Sequence, residues 1–118
     1  MDWTDYHPLE DMYSYWDYLE ATYDWVSTET IGQSYEGQDM RLLKVCRDAA
    51  GCGNKPAMWF DGGIHAREWV SPAVATYMAM ELIENDDAHP WKYRDSFRIL
   101  KIADLKMKYT YCLYPFVS

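Results

Sequence analysis

The sequence predicts an α/β fold. Three observations carry that reading: a one-faced helical pattern near the start, short apolar runs cut by glycine turns in the middle, and a second helical pattern just past a Gly-Gly pair. The 118 residues suggest one domain or part of one.

The stretch "HPLEDMYSYWDYLEATYDWV" reads as the first helix. Pro8 suits a first-turn position, and Glu10 and Asp11 favour the positive end of the helix dipole. Leu9, Met12, Tyr13, Trp16 and Leu19, followed by Tyr23, recur at three-four spacing and make one apolar face. An end near Tyr23 to Trp25 is expected. In "STETIGQSYEGQDMRLLKVC", Gly32 and Gly37 mark turns, Ile31 begins a short strand and Met40 to Cys46 forms another. "RDAAGCGNK" is rich in turn residues, and "PAMWFDGG" then gives a run from Ala57 to Phe60 stopped by glycines. Two strands joined by a Gly/Asn loop suggest an antiparallel hairpin. Met58 to Phe60 has no polar face, so burial on both sides is expected.

Beyond the glycines, Ser71 reads as an N-cap and Pro72 as the first helical residue, followed by "AVATYMAMELIEN" with an end at Asn85. A short helix is expected around Tyr93 to Leu100. "MKYTYCLYPFVS" suits a strand that Pro115 confines to an edge or an end. Repeats, low-complexity tracts and linkers are absent from the sequence.

Composition excludes several functions. With 49% hydrophobic and 17% aromatic residues, including eleven Tyr and six Trp, the chain is not disordered as a whole. A net charge of −8 argues against nucleic acid and anionic membranes, which both need basic patches. No apolar run is long enough to span a bilayer. "MDWTDYHPLED" lacks the basic and apolar regions of a signal peptide. The three cysteines are Cys46, Cys52 and Cys112, an odd count that argues poorly for a disulfide framework. Cys46 and Cys52 flank "RDAAG" and can close a short loop in an oxidising compartment; three ordinary thiols are the alternative.

The stretch "DGGIHAREWVSP", residues 61–72, carries the chemistry. It lies on the loop that leaves a strand and enters a helix, where open α/β sheets bind ligands. Gly62 and Gly63 allow a sharp turn and leave room. Imidazole nitrogen and carboxylate oxygen both suit zinc, and the three-residue gap on a tight turn can bring His65 and Glu68 to one ion. Arg67 between them can hold an anionic or carbonyl group. A lone H-x-x-E also arises by chance, and an Arg/Glu pair beside a His is often a surface turn with an ion pair.

"GGIHAREWVSPA" closely resembles the signature of the zinc carboxypeptidases of the carboxypeptidase A/B family. "DYHPLEDMYSYWDYL" resembles that family's opening segment and first helix, and "IGQSYEGQDMRLLKV" its strand-turn-strand, in the right order. The resemblance covers about residues 5 to 85. It implies a partial zinc-carboxypeptidase fold: a mixed sheet flanked by helices, with later strands missing and an edge exposed. It implies a zinc-dependent metallocarboxypeptidase, a secreted hydrolase that removes C-terminal residues from peptides through a zinc-activated water. His65 and Glu68 then correspond to the first two ligands of one Zn²⁺ in a His₂Glu site, and Arg67 to the arginine that contacts substrate. Asp61 and Trp69 read as structural or supporting residues.

The family's distant third histidine, its carboxylate-binding arginines, its pocket tyrosine and its general-base glutamate have no counterpart in this sequence. No catalytic residue is therefore assigned. His89 is placed at the far end of a helix about 20 Å long, and His7 belongs to the ordinary opening segment, so neither is expected as the third ligand. Residues 1–90 are expected to be the N-terminal part of the catalytic domain. Residues 91–118 are expected to be a divergent tail, because the family's "N-P-D-G" segment is absent; its apolar, Tyr-rich end is expected to promote aggregation. The chain is expected to be truncated, inactive alone and monomeric, with peptide or protein C-termini as the family's substrate. The alternative is a non-catalytic fragment or splice product, either a weak zinc binder or an interaction module.

Overall fold

The computed structural model describes residues 1–46, 57–65, 67–85 and 98–100, the last three and Ala57 and Met58 by their backbone only. In chain order the elements are α1 (Leu9–Thr22), β1 (Val26–Gln33), β2 (Asp39–Val45), β3 (Ala57–Trp59), α2 (Val70–Ile83) and β4 (Arg98–Leu100). The sheet order is β1-β2-β4-β3. β1 and β2 pair antiparallel, as do β2 and β4, whereas β3 and β4 run parallel. The sheet is therefore mixed and the fold α/β.

α1 forms where the one-faced pattern predicts it. Leu9, Met12, Trp16 and Leu19 are its buried residues, and Glu10 and Asp11 occupy its first turn. Pro8 stands one place earlier than a first-turn residue: it is the extended N-cap, and its carbonyl accepts from the N–H groups of Asp11 and Met12. β1 starts at Val26, before Ile31, and turns into β2 through Gly37, whose φ of +78° suits a residue without a side chain. In that turn the Gly37 N–H donates to the Ser34 carbonyl and the Gln38 N–H to the Ser34 hydroxyl.

The expected hairpin between Met40–Cys46 and Ala57–Phe60 does not form. β2 takes β1 on one side and β4 on the other, so β4 separates β2 from β3. The physical reason lies in α2. Parallel strands need a crossover of a dozen or more residues, and α2 supplies it between β3 and β4. Residues 98–100, expected in a helix, are that second parallel strand; 93–97 lie outside the described residues, as do the turn at 47–56 and the strand expected at 107–118. Burial on both faces also fails at Trp59, which is 54% exposed. Among the described residues β3 stands at the end of the sheet.

One core joins both helices to one face of the sheet. It comprises Trp16 and Leu19 of α1, Val26, Leu43 and Val45 of the sheet, and Ala75, Ala79 and Ile83 of α2. Val26 pairs with Val45, and Leu43 with Thr28, so the three sheet residues share a face. Residues 1–8 cross the two helices. Trp3 meets Tyr15 of α1 and Tyr77 of α2 edge-on, both at 5.6 Å between ring centroids.

Candidate metal centre

The residues between β3 and α2 are held in a tight turn. The Glu68 N–H donates to the His65 carbonyl at 2.9 Å, which closes the turn around Arg67. This fold-back brings the side chains together: His65 Nδ1 lies 3.2 Å from Glu68 Oε1. Both side chains face solvent, at 73% and 56% exposure, so an ion can reach them. Arg67 is exposed on the same turn.

The glycines perform two different tasks. Gly63 has φ of +80°, a backbone conformation that L side chains rarely adopt. Gly62 is a close-approach position: a Cβ there would meet the nitrogen of Pro72 and the carbonyl carbon and oxygen of Ser71, each at 2.7 Å. The Ser71 hydroxyl then spans the loop. It accepts from the Gly63 N–H at 2.9 Å and donates to the Glu68 carbonyl at 2.9 Å. The Ser71 N–H also donates to that carbonyl, at 3.0 Å.

The start of α2 differs from expectation for this reason. Trp69, not Ser71, is the N-cap residue, it makes no side-chain cap bond, and the helix begins at Val70. Pro72 is therefore third rather than first in the helix. It is tolerated because the opening N–H groups of a helix have no partner within it. The Ser71 side chain reaches back to the loop instead of capping. The sequence held a signal for this, a serine two places into the helix and eight after a glycine, but no local rule interprets it.

A cleft of about 340 Å³ adjoins the pair, lined by Tyr6, His7, Met12, His65, Glu68 and Trp69 among others. Tyr6 meets Trp69 edge-on at 6.0 Å. The fold thus brings His7 closer to His65 and Glu68 than its place before α1 suggested. Its ring is engaged elsewhere: Nε2 lies 2.9 Å from the Asp2 carbonyl and Nδ1 is 3.7 Å from the Asp11 carboxylate. Among the described residues no three His, Cys, Asp or Glu side chains are grouped to hold a metal ion. His89 lies outside the described residues. Cys46 is disulfide-bonded. That sets aside the alternative of three ordinary thiols; Cys52 and Cys112 both lie outside the described residues, and with them the Cys46–Cys52 pairing.

The geometry just described sits in a recognisable family setting. The zinc carboxypeptidase family model matches residues 12–103, so the match runs past residue 91 and takes in β4. The chain belongs to the zinc carboxypeptidase family. It is 43% identical to carboxypeptidase B of Astacus astacus over 86 residues, 72% of this chain and 27% of that protein. It is 39% identical to carboxypeptidase A1 of Sus scrofa over 90 residues, 75% of this chain and 21% of that protein. Among solved structures, bovine thrombin-activatable fibrinolysis inhibitor, in complex with tick carboxypeptidase inhibitor, superposes with a TM-score of 0.69 at 32% identity, covering 87% of this chain and 31% of that one. The fold is therefore the carboxypeptidase fold in part, and the chain spans roughly a quarter of the length of these curated relatives.

Proposed function

We propose that this chain is part of a zinc-dependent metallocarboxypeptidase that hydrolyses C-terminal residues from peptides, with His65 and Glu68 as two of its zinc ligands. One observation carries the reading: the 3.2 Å separation of His65 Nδ1 and Glu68 Oε1 on an exposed turn. Two donors on one tetrahedral zinc, with bonds of ~2.0–2.2 Å, stand roughly 3.4 Å apart. The pair stands close to that separation, and holding the ion requires both lone pairs to turn toward it.

The donor set fits zinc chemically: a borderline-soft imidazole nitrogen and a carboxylate that offsets one positive charge. Bound zinc supplies Lewis acidity toward a peptide carbonyl and makes a water more acidic. As zinc ligands His65 and Glu68 would be a neutral imidazole and a carboxylate. Arg67, on the same turn, offers a planar guanidinium that suits a carbonyl or carboxylate oxygen of the peptide. The disulfide at Cys46 supports an extracellular or otherwise oxidising setting. Among the described residues no helix is long and apolar enough to cross a membrane.

The test is calorimetric titration of the 118-residue chain with Zn²⁺, beside His65→Ala and Glu68→Gln. Weak one-site binding that both substitutions abolish is expected. Binding that survives both substitutions, or no binding in the unmodified chain, would overturn the assignment. A second reading has its own support. Among the described residues no group of three ligands occurs, which favours a non-catalytic fragment that binds zinc weakly.

A further inference from the structure

We propose that the Ser71 hydroxyl is a positioning group for the zinc pair, fixing the separation of His65 and Glu68 before metal arrives. The inference rests on the zinc reading of that pair. Ser71 contributes no ligand. It lies three residues beyond Glu68, on the first turn of α2. Its oxygen takes the Gly63 N–H on the entry side of the loop and gives its proton to the Glu68 carbonyl on the exit side. A serine hydroxyl has one proton to give and lone pairs to receive, so both bonds form at once. The segment bearing both ligands is thereby closed into a ring through one oxygen atom.

Two further features make this a built arrangement. Gly62 lets the strand end lie directly against the Ser71–Pro72 peptide, where any side chain would collide at 2.7 Å. Gly63, at φ of +80°, has the conformation in which its N–H reaches Ser71. Ser71 is itself anchored, since α2 buries Ala75, Ala79 and Ile83 in the core. The rigid helix therefore sets where the backbone of Glu68 sits. Among the described residues the exposed imidazole and carboxylate otherwise meet each other, at 3.2 Å. A group that orients ligands in this way commonly alters metal affinity about 10- to 100-fold when removed.

The test compares Ser71→Thr, which keeps the hydroxyl, with Ser71→Val, which has the same shape without it. Each chain is titrated with Zn²⁺ and followed by NMR at the His65 ring, and amide hydrogen exchange is read at Gly63 without metal. The expected result is that Ser71→Thr matches the unmodified chain, while Ser71→Val exchanges faster at Gly63 and binds zinc at least ~10-fold more weakly. Ser71→Val with unchanged zinc affinity overturns the proposal whatever the Gly63 exchange does, because the hydroxyl is then a fold contact only. That outcome leaves the zinc reading standing. Absence of any zinc response in the unmodified chain removes both. If Ser71→Val does not fold, Ser71→Ala decides by the same two readouts.

Discussion

Gly62 and Gly63 are adjacent, yet different physics excludes a side chain at each. At Gly63 the constraint is backbone conformation, and at Gly62 it is the backbone of Ser71 and Pro72 at 2.7 Å. Neither obstacle at Gly62 is a flexible side chain that can swing away. Gly62→Ala is expected to destabilise the fold by about 1–3 kcal/mol, the usual cost of forcing an extra carbon into a packed site. Urea denaturation of the variant and the parent chain measures it, and an unchanged midpoint contradicts the packing described here. A second single-residue device is Glu20. Its carboxylate accepts the Thr28 N–H at 2.8 Å and the Thr28 hydroxyl at 2.7 Å, and these bonds, the backbone one first, hold its pKa below the ordinary glutamate value. A lowered folded-state pKa stabilises the fold above the unfolded-state value, and that contribution is lost as pH falls. Glu20→Gln should therefore lower the melting temperature at pH 7. The difference should fade as pH falls below the ordinary glutamate range and through the lowered folded-state pKa, where the parent glutamate becomes neutral too. Melting curves across that range test the sign.

At the scale of elements, the first helix is tied to the first hairpin by polar contacts above a shared core. Arg41 of β2 donates to Asp17 of α1 at 2.5 Å, to the Thr28 hydroxyl at 2.8 Å and to the Tyr13 carbonyl at 3.3 Å. Its guanidinium also lies 5.1 Å from the centre of the Tyr13 ring. Because its side chain is only 15% exposed, the cluster is partly shielded from water and counts for more than a surface ion pair. Lys44 and Glu29, by contrast, form an exposed cross-strand pair, which contributes little. Beneath the cluster Leu43 is 1% exposed and packs with Trp16 and Leu19. Leu43→Ala is expected to cost about 2–5 kcal/mol, through lost burial and the cavity left behind. Denaturant unfolding measures it, and a loss below 1 kcal/mol would show that the shared core is not closed at that point. α2 behaves differently. Ala75, Ala79, Met80 and Ile83 are buried, while Val70, Val74 and Tyr77 on its outer side are about half exposed. It is the less amphipathic of the two helices, consistent with a helix suited to burial on more than one side.

For the molecule as a whole, the site is where three parts converge: the end of β3, the start of α2 and the N-terminal segment that crosses both helices. Tyr6 rests on Trp69, the residue after Glu68, while Trp3 of the same segment bridges Tyr15 and Tyr77. Order in residues 1–8 is therefore coupled to the helix that anchors the site. The chain spans roughly a quarter of its curated relatives, and its described residues bring together two side chains suited to one zinc ion. Catalytic zinc sites normally use three protein ligands. The isolated 118-residue chain is therefore expected to release no C-terminal residue from a peptide substrate. Amino-acid release that a chelator blocks would contradict this and point to a complete ligand set within the chain.

What could be read from the sequence divides along a physical line. The spacing of Leu9, Met12, Trp16 and Leu19 determined α1, because helical periodicity is a property of neighbours along the chain. The turn at Gly37 and the placing of His65 and Glu68 on a strand-to-helix loop were legible for the same reason: glycine conformations and short-range spacings are local. Family likeness was legible too, since ordered motifs survive in a linear string. Only the tertiary structure decided the rest. Nothing local says that β4 enters between β2 and β3, because strand partners are chosen by competition among distant segments and by the crossover helix. Nothing local says that Trp59 lies about half exposed, since burial depends on which elements stand beside a strand. Ser71 shows the division within one side chain. By its neighbours it is a helix cap; in the fold it is a bridge across the loop between β3 and α2, because a hydroxyl bonds whichever groups packing brings within 3 Å.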